Sequence, residues 1–243
     1  MGRIKVGISS CLLGQQVRYN GGHKHSSLCN GELARYFDYV PSCPEQGAGL
    51  GVPRPAMRLQ GEPEAPRAVL VEDPGHDLTE ALARYAAQRM PSLAGLCGYI
   101  FIAKSPSCGL FDVKIHRPDG TLQPRASRGL FAAALVRAMP LLPVEEEGRL
   151  HDPELRQSFI TRVFAWHHWQ QLCREGLSAA GLQTFHLRYR ASLRARNPAA
   201  CEDLEQLLSK AFVQLPEALA ARYFRQLMRA LEPVPSATEA WQR

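Results

Sequence analysis

Short apolar runs alternate with helical patterns over the first 150 residues, whereas the rest of the chain shows helical patterns alone. Strands that alternate with helices are typical of an α/β layer built on a mostly parallel sheet. The sequence therefore predicts a Rossmann-like α/β domain over residues 1–150, followed by a small all-α domain over residues 151–243. A chain of 243 residues is long enough to bury the cores of two such domains.

Four apolar runs predict the strands of the first domain. They cover residues 4–8, 37–40, 68–71 and 98–103. Residues 78–90 carry apolar side chains at helical spacing and are followed by Pro91, which predicts a helix that stops there. Another helix is predicted from an N-cap at Ser127 to Met139.

The second domain begins with Asp152 and Pro153, an N-cap followed by proline at the first helical position. Gly176 suits the end of this helix. Further helices are predicted over residues 178–196, 199–211 and 216–231. The tail over residues 232–243 contains two prolines and no periodic pattern, so we expect it to be frayed.

The composition is that of an ordinary globular protein, with 45% hydrophobic and 21% charged residues, which argues against a disordered chain or a coiled coil. No apolar run approaches the roughly 20 residues of a membrane span. The first residues are typical of a strand and not of a signal peptide. We therefore expect no membrane partner and a cytoplasmic location.

The net charge is +6, and residues 156–196 contain seven arginines against one acid, Glu175. Such a local basic surface indicates a polyanionic partner. A solvated helix face is an equally good interpretation from the charge alone.

Seven cysteines, an odd number without any C-x-x-C pair, argue against a disulfide framework and against common zinc motifs. Cys11, Cys43 and Cys108 each follow a predicted strand, and loops at the carboxyl ends of parallel strands line a ligand crevice. Three thiolates at one point would suit an iron–sulfur cluster, Zn or Cu(I). The alternative is three buried, inert cysteines.

The other four cysteines have weaker claims to a metal site. Cys29 and Cys97 are alternative ligands, although Cys97 precedes its strand and is expected in the core. Cys173 and Cys201 lie in predicted helices and are interpreted as packing residues.

Five motifs surround the three cysteines: SSCLLG at 9–14, VRYNG at 17–21, CPE at 43–45, GLGVPR at 49–54 and SPSCG at 105–109. In this order, and over roughly residues 3–145, the chain resembles the thiouracil desulfidase family. The second half resembles the domain appended in tRNA 4-thiouridine desulfidases, through DPELR at 152–156, FITRVF at 159–164 and Phe185-His186. It departs from that domain in being shorter, with an unfamiliar tail after Leu231.

The resemblance implies a 4Fe–4S cluster with three cysteine ligands, Cys11, Cys43 and Cys108, and one open iron that captures the thiocarbonyl sulfur. Water then replaces sulfur without net redox change. The resemblance gives Glu45 an acid/base role and makes Ser105 an active-site serine. Without it, Glu45 is also explained as a charge at a helix N-terminus and Ser105 as a turn residue.

Further residues are predicted to bind substrate or RNA. The substrate-binding set is Ser10, Asn20, Arg54 and Ser107. The RNA-binding set is Arg162, His186, Arg188, Arg190, Arg194 and Arg196, because arginine binds phosphates and stacks on unpaired bases. A surface loop for Asn20, a surface salt bridge for Arg54 and a loop turn for Ser107 are the competing interpretations.

These observations favour a desulfidase that converts 4-thiouridine in tRNA to uridine and sulfide. One alternative is a desulfidase of free 2-thiouracil or thionucleosides. Another is a non-catalytic iron–sulfur RNA-binding protein. The sequence leaves the oligomeric state open.

Overall fold

The computed structural model describes residues 3–209 and 217–233. The chain divides into two compact units, Met1–His151 and Asp152–Arg243. The first is an α/β unit with a mostly parallel sheet and the second is helical, so the predicted fold class is confirmed. None of the helices in the described ranges is long and apolar enough to cross a membrane.

The strands of the α/β unit form two sheets. In chain order they are β1 (Ile4–Ser9), β2 (Phe37–Ser42), β3 (Met57–Gln60), β4 (Arg67–Leu70), β5 (Tyr99–Phe101), β6 (Ile115–His116) and β7 (Val144–Glu146). The main sheet has the order β2-β1-β5-β7, and every neighbouring pair is parallel. The carboxyl ends of these four strands therefore share one edge.

Close packing fixes β5 against β1. The buried rings of Tyr99 and Phe101 stack with centroids 4.2 Å apart. Gly7 of β1 makes room for Tyr99, because a Cβ atom at this position would lie 2.2 Å from the Tyr99 ring. Any side chain at position 7 would therefore push the central strands of the sheet apart.

The second sheet has the order β4-β3-β6, with β3 antiparallel to β4 and parallel to β6. The expectation that the apolar run at residues 68–71 joins the same parallel sheet as the other predicted strands is therefore wrong. This run pairs instead with β3, whose Arg58 and Gln60 broke the apolar pattern that would have revealed a strand. The sequence also missed β6 and β7, which have only two and three residues.

The helices of the α/β unit are α1 (Ser27–Asn30), α2 (Pro44–Gly47), α3 (Thr79–Leu93) and α4 (Leu130–Ala138). The predicted stop of α3 at Pro91 is wrong, because Pro91 lies inside its last turn. The predicted cap of α4 at Ser127 is also wrong. The backbone of Ser127 exchanges two hydrogen bonds with Val113, which holds it extended, and Gly129 takes the N-cap position instead.

The helical unit contains α5 (Pro153–Glu175), α6 (Ala179–Arg196), α7 (Pro198–Ser209) and α8 (Glu217–Ala230). Asp152 caps α5 as predicted, since its carboxylate accepts hydrogen bonds from the amides of Glu154 and Leu155. In the core, Trp169 of α5 stacks on Phe224 of α8 with centroids 4.4 Å apart. Residues 210–211 and 216 of two predicted helices, and the tail from residue 234, lie outside the described residues.

Candidate active site

Three cysteines lie at the carboxyl ends of three adjacent parallel strands. Cys11 is in a short 3₁₀ turn after β1, Cys43 separates β2 from α2, and Cys108 is in the loop after β5. All three line one cavity of about 470 Å³. The structure thus brings together the thiols that the strand ends predicted.

The cavity keeps these thiols largely away from water. Burial raises the pKa of Cys11 and of Cys43 to about 11, with the nearby Glu45 carboxylate as the second cause in each case. Burial, then Glu45, Cys43 and Cys11, hold the pKa of Cys108 well above its usual value. Each sulfur therefore lies within electrostatic reach of its neighbours, and all three would ionise together only around a compensating cation.

This set of donors fits an iron–sulfur cluster. Sulfur ligands select iron–sulfur clusters and other soft metals, and a four-iron cluster with three protein thiolates has one iron without a protein ligand. Among the described residues that line the cavity there is no fourth cysteine. Cys29 and Cys97 are buried in the α/β unit outside the cavity wall, which removes them as alternative ligands in this arrangement.

Glu45 lies in the first turn of α2 and is buried beside the sulfurs. Its Oε1 accepts a short hydrogen bond from the Ser107 hydroxyl and another from Ser105 Oγ at 3.3 Å. Its Oε2 accepts a bond from Cys43 Sγ at 3.4 Å. The carboxylate is thus held against the thiols by serines of a different loop and can take or give a proton there.

The loop that carries Cys108 is shaped by its own serine. Ser105 Oγ accepts hydrogen bonds from the amides of Ser107 at 3.2 Å and Cys108 at 3.1 Å. Gly129 lets the start of α4 pack on this loop, because a Cβ atom there would lie 2.5 Å from the Ser107 carbonyl carbon. Ser105 therefore has a structural role in addition to its contact with Glu45.

Glu146, at the end of β7, holds the other side of the same loop. Its buried carboxylate accepts hydrogen bonds from the amides of Leu110 at 2.8 Å and Phe111 at 3.0 Å. Sequence reasoning missed this residue because it lies at the end of a strand of three residues within an acidic run. Only the three-dimensional structure shows that it faces inward.

The predicted substrate-binding residues have different outcomes. Ser10 and Arg54 line the cavity, and the Arg54 guanidinium also donates to the carbonyls of Val17 and Gly51. The Asn20 side chain instead closes an exposed turn by accepting from the Gly22 amide at 3.1 Å, outside the cavity wall. Ser107 has no solvent exposure and donates to Glu45, so the expectation that it contacts substrate is wrong.

Three basic residues of the cavity wall were missed: Arg18, Lys104 and Lys114. A period-two pattern could have revealed Lys114, since Val113 and Ile115 are buried while Lys114 is exposed between them. Lys104 has a left-handed backbone with φ of +62°, which is uncommon for a residue other than glycine.

The predicted RNA-binding residues of the helical unit differ in how exposed their side chains are. Arg188 and Arg194 are exposed and Arg190 is partly exposed, whereas the Arg196 side chain is only 17% exposed. The expectation of surface positions is wrong for Arg162 and His186, which are 8% and 4% exposed. Both lie on helix faces that pack into the core of the helical unit.

The similarity to a known protein family lies within the α/β unit. The model of the 2-thiouracil desulfurase family matches residues 6–147. The chain belongs to this family. An uncharacterized protein of Bacillus subtilis, YbbK, is 35% identical over 108 residues, which cover 42% of this chain and 71% of YbbK.

A solved structure described as the 4Fe–4S-dependent thiouracil desulfidase TudS is 30% identical, with a TM-score of 0.50. The match covers 64% of this chain and 99% of TudS. The family match ends before the helical unit begins, so the helical unit must be interpreted from its own residues.

Proposed function

We propose that this protein is an iron–sulfur-dependent desulfidase that replaces the sulfur of a thiolated uracil with oxygen. Cys11, Cys43 and Cys108 hold a 4Fe–4S cluster in this proposal. The observation that carries it is the meeting of these three thiols with Glu45 in one cavity of a chain that belongs to the 2-thiouracil desulfurase family. The name of the solved relative, which specifies a 4Fe–4S cluster, supports the choice of cofactor.

When bound, the cluster supplies a Lewis acid at the iron that has no protein ligand, and this polarises a thiocarbonyl bond. Glu45 accepts a proton from the water that attacks the thiocarbonyl carbon, and a proton returns to the departing sulfur. Ser105 and Ser107 keep the carboxylate in place for both transfers. One water enters and one sulfide leaves, so no external oxidant or reductant is required.

The charge of the cavity wall bears on the substrate. Five basic residues of the wall outnumber its two acidic residues, Glu45 and Asp112; the basic residues are Arg18, Arg54, Arg58, Lys104 and Lys114. Such a wall suits a thiolated uracil that carries phosphate, and arginines are exposed on α6 of the helical unit. We therefore favour 4-thiouridine in tRNA as the substrate.

Free 2-thiouracil is the second candidate. The family description names this base, and a cavity of about 470 Å³ has ample room for a free pyrimidine. If this candidate is right, the arginines of the helical unit have no part in substrate binding.

Exchange of Glu45 for Gln tests whether the site is catalytic. The amide oxygen of Gln can still accept from Ser107, but it cannot take a proton, so kcat should fall by about 10²- to 10⁴-fold. Anaerobic sulfide release from thiolated substrate gives the rate, and iron content shows whether the cluster is intact. Equal turnover by Glu45→Gln and wild type would refute the assigned role, and cluster-loaded wild type that releases no sulfide would leave a binding protein.

A further inference from the structure

A second group of metal-ligand side chains lies in the helical unit. His186 is on α6, and Cys201 and Glu205 are one turn apart on α7. One ligand atom from each residue lies within 4.8 Å of the others. We propose that these three side chains bind a zinc ion that joins α6 to α7.

The distances between the ligand atoms agree with this assignment. His186 Nε2 is 3.7 Å from Glu205 Oε1, and Cys201 Sγ is 3.8 Å from the same oxygen. Zinc bonds to nitrogen, oxygen and sulfur in tetrahedral sites place neighbouring ligand atoms about 3.3–3.7 Å apart. Small side-chain shifts are therefore enough to bring all three atoms to a common ion.

The state of His186 points to a ligand independently of the distances. Its side chain is buried, and Nε2 has no hydrogen-bond partner among the described residues. Nδ1 is 2.9 Å from the hydroxyl of Tyr223. In the tautomer with the proton on Nδ1, this nitrogen donates a hydrogen bond to the Tyr223 hydroxyl, and Nε2 has a lone pair free to bind a metal. A histidine held through one ring nitrogen and open at the other is the usual arrangement around protein-bound zinc.

Two arginines of α6 border the site, and both approach the same oxygen of Glu205. Arg190 Nε lies 2.7 Å and Arg194 Nη2 3.7 Å from Glu205 Oε1. The oxygen that Arg190 holds is the same Oε1 that lies near His186 and Cys201, so the Glu205 carboxylate must turn to keep Arg190 on Oε2 while Oε1 binds zinc. Zinc with one thiolate and one carboxylate makes a neutral site, so zinc binding with loss of the Cys201 thiol proton replaces the single negative charge that Glu205 now presents to the arginines.

The proposal changes the interpretation of two residues. His186 becomes a ligand instead of an RNA contact, and Cys201 becomes a ligand instead of a packing residue. Three protein ligands leave the fourth position of a tetrahedral ion to water. The ion would connect α6 to α7 at the point where arginines of α6 pair with Glu205 of α7.

The test uses the full chain with its iron–sulfur cluster loaded anaerobically, followed by zinc and gel filtration. We expect one zinc per chain in wild type and in the control Cys173→Ser, whose cysteine is exposed in the same unit. We expect no such zinc in Cys201→Ser. All three proteins keep Cys11, Cys43 and Cys108, so the difference between variants does not depend on the proposed desulfidase activity.

Two further measurements guard against a variant that merely fails to fold. Cobalt added to wild type should give a thiolate-to-cobalt charge-transfer band that is absent from Cys201→Ser. Tyr223→Phe should weaken zinc binding by about 10- to 100-fold, since it removes the partner of His186 Nδ1. Wild type without zinc, or equal zinc content in wild type and a folded Cys201→Ser, would overturn the proposal.

Discussion

The thiols of Cys11, Cys43 and Cys108 line one cavity together with the buried carboxylate of Glu45, and only Cys43 is partly exposed. Burial raises the pKa of all three thiols, and the nearby Glu45 carboxylate is the second cause in each case. A buried carboxylate beside the thiols disfavours the thiolate form of each cysteine. Cysteines that only fill space in a core are not expected to have such a neighbour. A cationic cluster would relieve this conflict by pairing with the thiolates.

Substitution of any one of the three cysteines by serine should therefore remove the brown absorbance of the cluster. A hard hydroxyl is a poor replacement for a thiolate ligand. Anaerobically reconstituted Cys11→Ser, Cys43→Ser and Cys108→Ser should lose most of their iron, whereas Cys173→Ser should retain it. Full absorbance in all three variants would contradict the assignment of these cysteines.

At the scale of residues, the sequence predicted the positions of the three cysteines better than those of the residues around them. The cysteines were located because a residue that follows a parallel strand must lie at one edge of the sheet, which requires no side-chain geometry. Ser107 was misjudged because a motif does not show which way a loop residue faces. Lys104 was missed because a left-handed backbone at a lysine leaves no mark in the sequence.

At the scale of elements, the loop between β5 and β6 depends on contacts from three sides. The Ser105 hydroxyl accepts a hydrogen bond from the Cys108 amide within the loop, and α4 packs on the loop at Gly129. The Glu146 carboxylate of β7 accepts hydrogen bonds from the amides of Leu110 and Phe111. Because Cys108 lies in the middle of this loop, its position depends on all three contacts. Glu146 is thus a positioning residue that acts through backbone amides.

Replacing Glu146 by Ala should loosen this loop. An amide left without its acceptor in a buried place costs about 1–3 kcal/mol, which corresponds to roughly 5- to 150-fold faster local exchange. Hydrogen exchange of the Leu110 and Phe111 amides should show this increase, with α5 and α6 unchanged as internal references. Glu146→Gln retains an acceptor oxygen and should lie between wild type and Ala; exchange unaffected in Glu146→Ala would refute the role.

Helices and strands were predicted best where local sequence alone determines them, without partners distant in the chain. Asp152 followed by Pro153 marks the start of α5, and the structure shows the carboxylate bonded to two amides as expected. Ser127 carried a similar capping signal but pairs with Val113, a residue 14 positions earlier that the local sequence cannot reveal. The second sheet escaped prediction for the same reason, since its strands are short and depend on partners distant in the chain.

At the scale of the whole molecule, a desulfidase family unit is joined in one chain to a helical unit with exposed arginines. If the substrate is tRNA, Arg188 of α6 should contact phosphate, because it is exposed and lies in the basic segment. Arg188→Ala should weaken tRNA binding and reduce the slope of log Kd against log salt concentration by about one. It should leave turnover of a free thiobase unchanged.

Arg84→Ala is the matched control, since Arg84 is an exposed arginine of α3 that pairs with Glu80. It should bind tRNA as wild type does. Equal losses in both variants would assign the effect to net charge alone, and no loss in Arg188→Ala would remove this residue from the RNA contact.

The most direct test of the account is anaerobic turnover by the cluster-loaded chain, with 4-thiouridine tRNA and free 2-thiouracil compared side by side. Loss of the near-UV absorbance of the thiobase, matched by sulfide released, measures the reaction. The account predicts turnover by the wild-type protein with a higher kcat/KM on tRNA. An intact cluster with turnover of neither substrate would contradict the account.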